Sequence, residues 1–129
     1  MRGSIRVWSR PSCGPPSKQS EVRAAGQWAA SEAGLARIRE AHANAARRAD
    51  RLGFDLVERL TAHGFLLHSF LSPVANRRID AYGGSLANCM RYALEVAAAT
   101  RVAWPRRKPL GMRITGCDWV DGRGRHLRF

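Results

Sequence analysis

A strand, a helix and a second strand, read in that order with turn residues between them, constrain this chain more than any other feature. Phe54-Asp55-Leu56-Val57-Glu58 reads as a short strand of mixed burial. Pro109 to Thr115, in which Leu110, Met112 and Ile114 alternate with other residues, reads as another. Between them Ser85 caps a helix that ends at Pro105, with Leu86, Met90, Ala93, Leu94, Ala97 and Arg101 on one face. A strand–helix–strand crossover brings the chain back to the same end of the sheet, so the two strands are expected to pair in parallel. Two parallel strands cannot bury both faces of a sheet alone. The fold class is α/β, and the chain reads as a slice of a larger α/β architecture.

Upstream lies a second amphipathic helix. Ser31 is its cap, Glu32 sits in the first turn where the helix dipole favours a negative charge, and Leu35, Ile38, His42, Ala45, Ala46, Ala49 and Leu52 recur at three- and four-residue steps before Gly53. Residues 1–30 hold Pro11, Gly14, Pro15 and Pro16 without a persistent period and read as loop or disorder. The stretch from Thr61 to Ser85, with Pro73, Asn76 and Gly83-Gly84, reads as one long irregular loop, and loops of that length are usually functional or disordered. The tail from Asp121 to Phe129 shows no period and is expected to be unstructured.

Composition removes several function classes. The chain has 129 residues, 45% of them hydrophobic, which is too apolar for outright disorder. No stretch approaches the roughly 20 apolar residues of a membrane helix, and Met1 to Ser20 lacks the apolar core of a secretory signal, so a cytoplasmic location is expected. The net charge of +12 attracts attention because such a surplus binds phosphate backbones. However, the basic residues are nearly all arginine, spread evenly and without an aromatic platform, which points to coding composition and away from nucleic-acid binding. Cys13, Cys89 and Cys117 form no C-x-x-C pair, and His42, His63, His68 and His126 show no H-x-x-x-H spacing, so neither a disulfide framework nor a metal site is expected.

Chemistry concentrates after the first strand, where α/β enzymes place reactive groups at the carboxyl ends of their strands. The run Thr61-Ala-His63-Gly-Phe65-Leu-Leu-His68-Ser-Phe-Leu-Ser72-Pro73 is followed by Asn76-Arg-Arg78-Ile-Asp80-Ala-Tyr82-Gly83-Gly84-Ser85. Together with Ala45 to Ala49, Gly53-Phe54-Asp55, Gly111-Met112-Arg113-Ile114 and Asp118-Trp119-Val120, these residues closely resemble the old yellow enzyme family of FMN-dependent NAD(P)H:flavin oxidoreductases. The resemblance covers roughly 80 of the 129 residues.

The resemblance implies part of a TIM (β/α)8 barrel, about its fourth and fifth strands with their helices. On that reading residues 31–121 are the barrel fragment, residues 1–30 an unmatched and disordered segment, and residues 122–129 an unmatched tail. A whole barrel takes about 250 residues, so a truncated or frameshifted gene is expected. The implied activity is hydride transfer from NADH or NADPH through FMN to the β-carbon of an α,β-unsaturated carbonyl, with an enone-type small molecule as substrate. His63 matches the second of two donors that hold the substrate carbonyl. Leu60 stands where the first donor histidine belongs, and leucine has no proton to give. Phe65 stands where the proton-donating tyrosine belongs and lacks the hydroxyl. Arg113 matches the arginine that faces the flavin, where a cation stabilises the reduced ring. Little or no activity is expected of the chain alone.

Blander readings stand beside these. His63 could be a solvated histidine, and Arg113 a surface or ion-pairing arginine. His68 is expected to bond locally, Asn76, Arg78, Asp80 and Tyr82 to fix the loop, and Cys89 and Cys117 to be buried small hydrophobes. A rival of another class is a basic nucleic-acid-binding or scaffolding protein, discriminated by a salt-dependent shift of labelled RNA or DNA against copurified yellow flavin.

Overall fold

The computed structural model describes residues 31–118 and a two-residue strand at Val7–Trp8. In chain order the elements are β1 (Val7–Trp8), α1 (Glu32–Arg51), β2 (Leu56–Thr61), α2 (Leu66–Leu71), α3 (Leu86–Ala103) and β3 (Leu110–Ile114). The strands form one sheet in the order β1-β2-β3, parallel throughout. Val57 stands beside Leu110, Leu60 beside Arg113 and Thr61 beside Ile114. The expected parallel pair with a helix between is therefore present.

The helix boundaries follow from their caps. Ser31 accepts the Gly34 N–H through its hydroxyl, and Ser85 accepts that of Asn88, so each satisfies a donor the first turn would leave unpaired. At the end of α1, Phe54 N–H bonds to Ala49 O and Gly53 N–H to Asp50 O, the paired arrangement of a Schellman motif. This motif uses Gly53 and Phe54 as helix terminus, so β2 begins at Leu56 and runs to Thr61, and not over the expected Phe54–Glu58.

Along β2 burial alternates. Val57, Arg59 and Thr61 are buried, and Val57 packs with Ala46 and Ala49 of α1 and with Trp104. A second apolar cluster joins Leu35, Leu67, Phe70, Tyr92 and Val96 from the three helices. The Tyr92 hydroxyl donates to Leu35 O at 3.0 Å, and burial pushes its phenol up to about 12. The opposite side of β2 presents Leu56, Glu58 and Leu60, all only half-buried.

Four further expectations are corrected. Residues 1–30 were to be loop or disorder, yet Val7–Trp8 pairs with Leu56 and Val57; a two-residue strand is too short to show a period. The long irregular loop contains α2, whose buried Leu67, Ser69, Phe70 and Leu71 make a single buried turn. The buried face of α3 is Cys89, Tyr92, Ala93, Val96 and Thr100, while Leu86 and Leu94 are 57% and 55% exposed. The helix carries two stripes of suitable spacing, and the one holding the aromatic ring goes inward. Cys89 is buried as expected, but Cys117 is only half-buried because it follows the edge strand β3. The expected tail at residues 122–129 lies outside the described residues. No helix among the described residues is long and apolar enough to cross a membrane.

Candidate active site

The carboxyl end of β2 turns sharply. His63 and Gly64 both adopt left-handed backbone conformations, with φ of 58° and 71°. For a residue with a Cβ this costs about 1–2 kcal/mol, so the turn persists only where other contacts fix it. Three hydrogen bonds do so. His63 N–H donates to Thr115 Oγ1 at 3.1 Å, Gly64 N–H to His68 Nδ1 at 2.7 Å, and Phe65 N–H to Ala62 O at 3.2 Å. The result is an exposed His63 at the mouth of the sheet.

Beside it lies a cavity of about 590 Å³, lined by Ala62, His63, His68, Arg113, Thr115 and Cys117 among others. That size falls within the range of small-molecule sites. His63 and Arg113, far apart in sequence, thus meet around one space at the carboxyl ends of adjacent parallel strands. Arg113 is paired as well as exposed: its Nε donates to Glu58 Oε1 at 2.9 Å across the open side of the sheet. The ion-pairing reading of this arginine is therefore correct as far as it goes, and it keeps the guanidinium over the sheet beside the cavity. Leu60 stands next to Arg113 in register and offers no polar atom there. Phe65 is the first residue before α2 and half-buried.

His68 bonds locally, as expected, through Gly64 N–H; in addition its Nε2 lies 3.0 Å from Asp118 Oδ1, while Asp118 Oδ2 accepts the Ser72 hydroxyl at 2.8 Å. This connection was hidden because the partners belong to distant segments; the Asp118-Trp119 match was its only trace in the sequence.

The loop beyond α2 is held as the residues suggested. Asn76 is buried and donates from Nδ2 to Phe70 O at 2.7 Å and Tyr82 O at 2.8 Å, and its Oδ1 accepts Arg78 N–H. Arg78 is paired with Asp80, and this guanidinium is the main reason the Asp80 carboxyl sits below its ordinary range. A Cβ on Gly83 would lie 2.1 Å from Arg78 O, so only glycine fits where the loop passes over itself. Phe70, Tyr82 and Tyr92 close the loop onto the core, with ring centroids 4.7 to 6.2 Å apart. These residues do not line the cavity.

Residues 15–125 match the NADH:flavin oxidoreductase / NADH oxidase family model. The chain is 46% identical over 80 residues to an NADPH dehydrogenase of Clostridium acetobutylicum, covering 62% of this chain and 24% of that protein. It is 48% identical over 77 residues to an NADH:flavin oxidoreductase of Gibberella zeae, covering 60% of this chain and 19% of that one. Among solved structures, morphinone reductase superposes with a TM-score of 0.63 at 40% identity, over 67% of this chain and 23% of that one. The chain spans about a quarter of the length of the relatives it matches.

Proposed function

Because the chain belongs to the NADH:flavin oxidoreductase / NADH oxidase family, the old yellow enzymes, we propose that it serves FMN-dependent hydride transfer from NADH or NADPH to an α,β-unsaturated carbonyl. The single observation that carries this reading is the shared cavity of His63 and Arg113. The parallel α/β arrangement is that of a stretch of the family's TIM barrel.

The residues around the cavity fit the flavin. Arg113 offers an exposed cation, oriented by Glu58, to a ring that gains negative charge on reduction. FMN, when bound, supplies the two-electron carrier between nicotinamide and substrate. The chain's own residues do the rest. His63 donates to the carbonyl oxygen where charge develops, and its backbone is already fixed, so no reorganisation is needed at that moment. Leu60 supplies no second donor and Phe65 no proton. Loss of one such donor costs roughly 10²–10³ in rate, so turnover is slow and the proton comes from water.

The test is to saturate the purified chain with FMN and follow NADPH oxidation with cyclohexenone as acceptor. Slow, FMN-dependent turnover that His63→Ala abolishes is the expected result. Turnover that is independent of FMN, or indifferent to His63→Ala, overturns the reading.

A further inference from the structure

His68 makes one hydrogen bond with each ring nitrogen, and the two bonds together dictate its chemistry. Gly64 N–H can only donate, so Nδ1 at 2.7 Å must be the bare, accepting nitrogen. The ring proton is then on Nε2, where it points at Asp118 Oδ1, 3.0 Å away. Asp118 is held in turn: its other oxygen accepts the Ser72 hydroxyl, and Ser72 Oγ accepts the N–H groups of Val74 and Ala75 at 3.2 and 3.1 Å. Every member of this chain has a partner on both sides. The chain ties three segments together: the β2–α2 turn, the carboxyl end of α2 and the stretch after β3.

The end of this network is the turn that carries His63. Both peptide N–H groups at the left-handed residues are captured, that of His63 by Thr115 and that of Gly64 by His68. Thr115 and Asp118 lie on the same stretch after β3, so that stretch holds the turn at two points. A free turn would relax toward ordinary backbone and swing the His63 ring away from the cavity.

We propose that His68 is the positioning residue of this site: as a neutral imidazole whose Nε2 proton faces Asp118, it holds the Gly64 N–H through its bare Nδ1 and thereby aims His63 toward the cavity, Asp118 serving to fix the tautomer. This rests on the reading that His63 meets a substrate carbonyl there. His68 borders the cavity and acts on the site through Gly64.

Two substitutions separate the halves of the bridge. His68→Asn places an amide oxygen near the position of Nδ1 and keeps the Gly64 bond while losing Asp118. His68→Gln places its amide near Nε2 and keeps Asp118 while losing Gly64. In the full chain saturated with FMN, Gly64 amide exchange stays slow in His68→Asn and speeds up about tenfold or more in His68→Gln. Cyclohexenone, titrated against the His63 ring signals in NMR spectra, binds His68→Asn nearly as well as the parent and His68→Gln about tenfold more weakly. The nitrogen-15 spectrum of unmodified His68 shows a proton on Nε2 alone, a readout that requires no variant to fold. A proton on Nδ1, slow Gly64 exchange in His68→Gln, or equal weakening by both variants overturns the proposal. A parent chain whose His63 ring ignores cyclohexenone contradicts the carbonyl reading instead, while exchange and tautomer still judge the bridge.

Discussion

Arg59 is a guanidinium enclosed by the sheet and α3, with no carboxylate against it among the described residues. It is 6% exposed, its Nη1 donates to Thr100 Oγ1, and its Nε has no partner. Burial pushes it down to about 10, well below the ordinary arginine range. A cation whose folded pKa is depressed destabilises the fold at every pH below that value, and the penalty is relieved only as pH rises from about 10 toward the ordinary arginine range. Replacing Arg59 by Met, which keeps the apolar stem and removes the charge, is therefore expected to stabilise the chain by about 2 kcal/mol. The gain in Tm is expected to be the same at pH 6 and pH 8. A lower Tm, or a gain that shrinks between those pH values, contradicts this account of the site. That His63 and Arg113 meet at the carboxyl ends of adjacent strands was legible through the motif around them. Neither the Arg113–Glu58 pair nor the His68 bridge was, since each partner lies on a different strand or loop and only the register of β2 on β3 brings them together.

Among the elements, the parallel pairing of β2 and β3 was legible because a helix between two strands leaves few alternatives. The face of α3 was not, because Leu86, Met90 and Leu94 form as regular a stripe as Cys89, Tyr92 and Val96; only the packing of Tyr92 against Phe70 and Leu35 decides between them. α2 was missed because six residues complete less than two turns. The loop between α2 and α3 was read correctly as a hydrogen-bonded structure, and its tightest point gives a sharp prediction. Gly83→Ala puts a methyl group 2.1 Å from Arg78 O, which no side chain can vacate because the obstacle is backbone. The expected loss is about 2–3 kcal/mol, visible as a lower urea midpoint. An unchanged midpoint would mean that the loop does not pass over itself as described.

Among the described residues the strands form a three-stranded parallel sheet, with helices against the buried side of β2 and half-buried residues on the other. That one face stays uncovered agrees with the expectation that so few parallel strands cannot bury both faces of a sheet alone. It also leaves the cavity open, with Leu60 and Arg113 side by side on the uncovered face and His63 at the carboxyl end. On the proposed function, carbonyl reduction is slow because two polar groups are missing and not because His63 is misplaced. The deciding experiment is the rate of FMN-dependent cyclohexenone reduction by the double variant Leu60→His and Phe65→Tyr, compared with the parent chain. The rate is predicted to rise by roughly 10²–10³ and to fall again when His63→Ala is added. A rate that stays at the parent level, in a variant that keeps the parent's fold and flavin affinity, would contradict the claim.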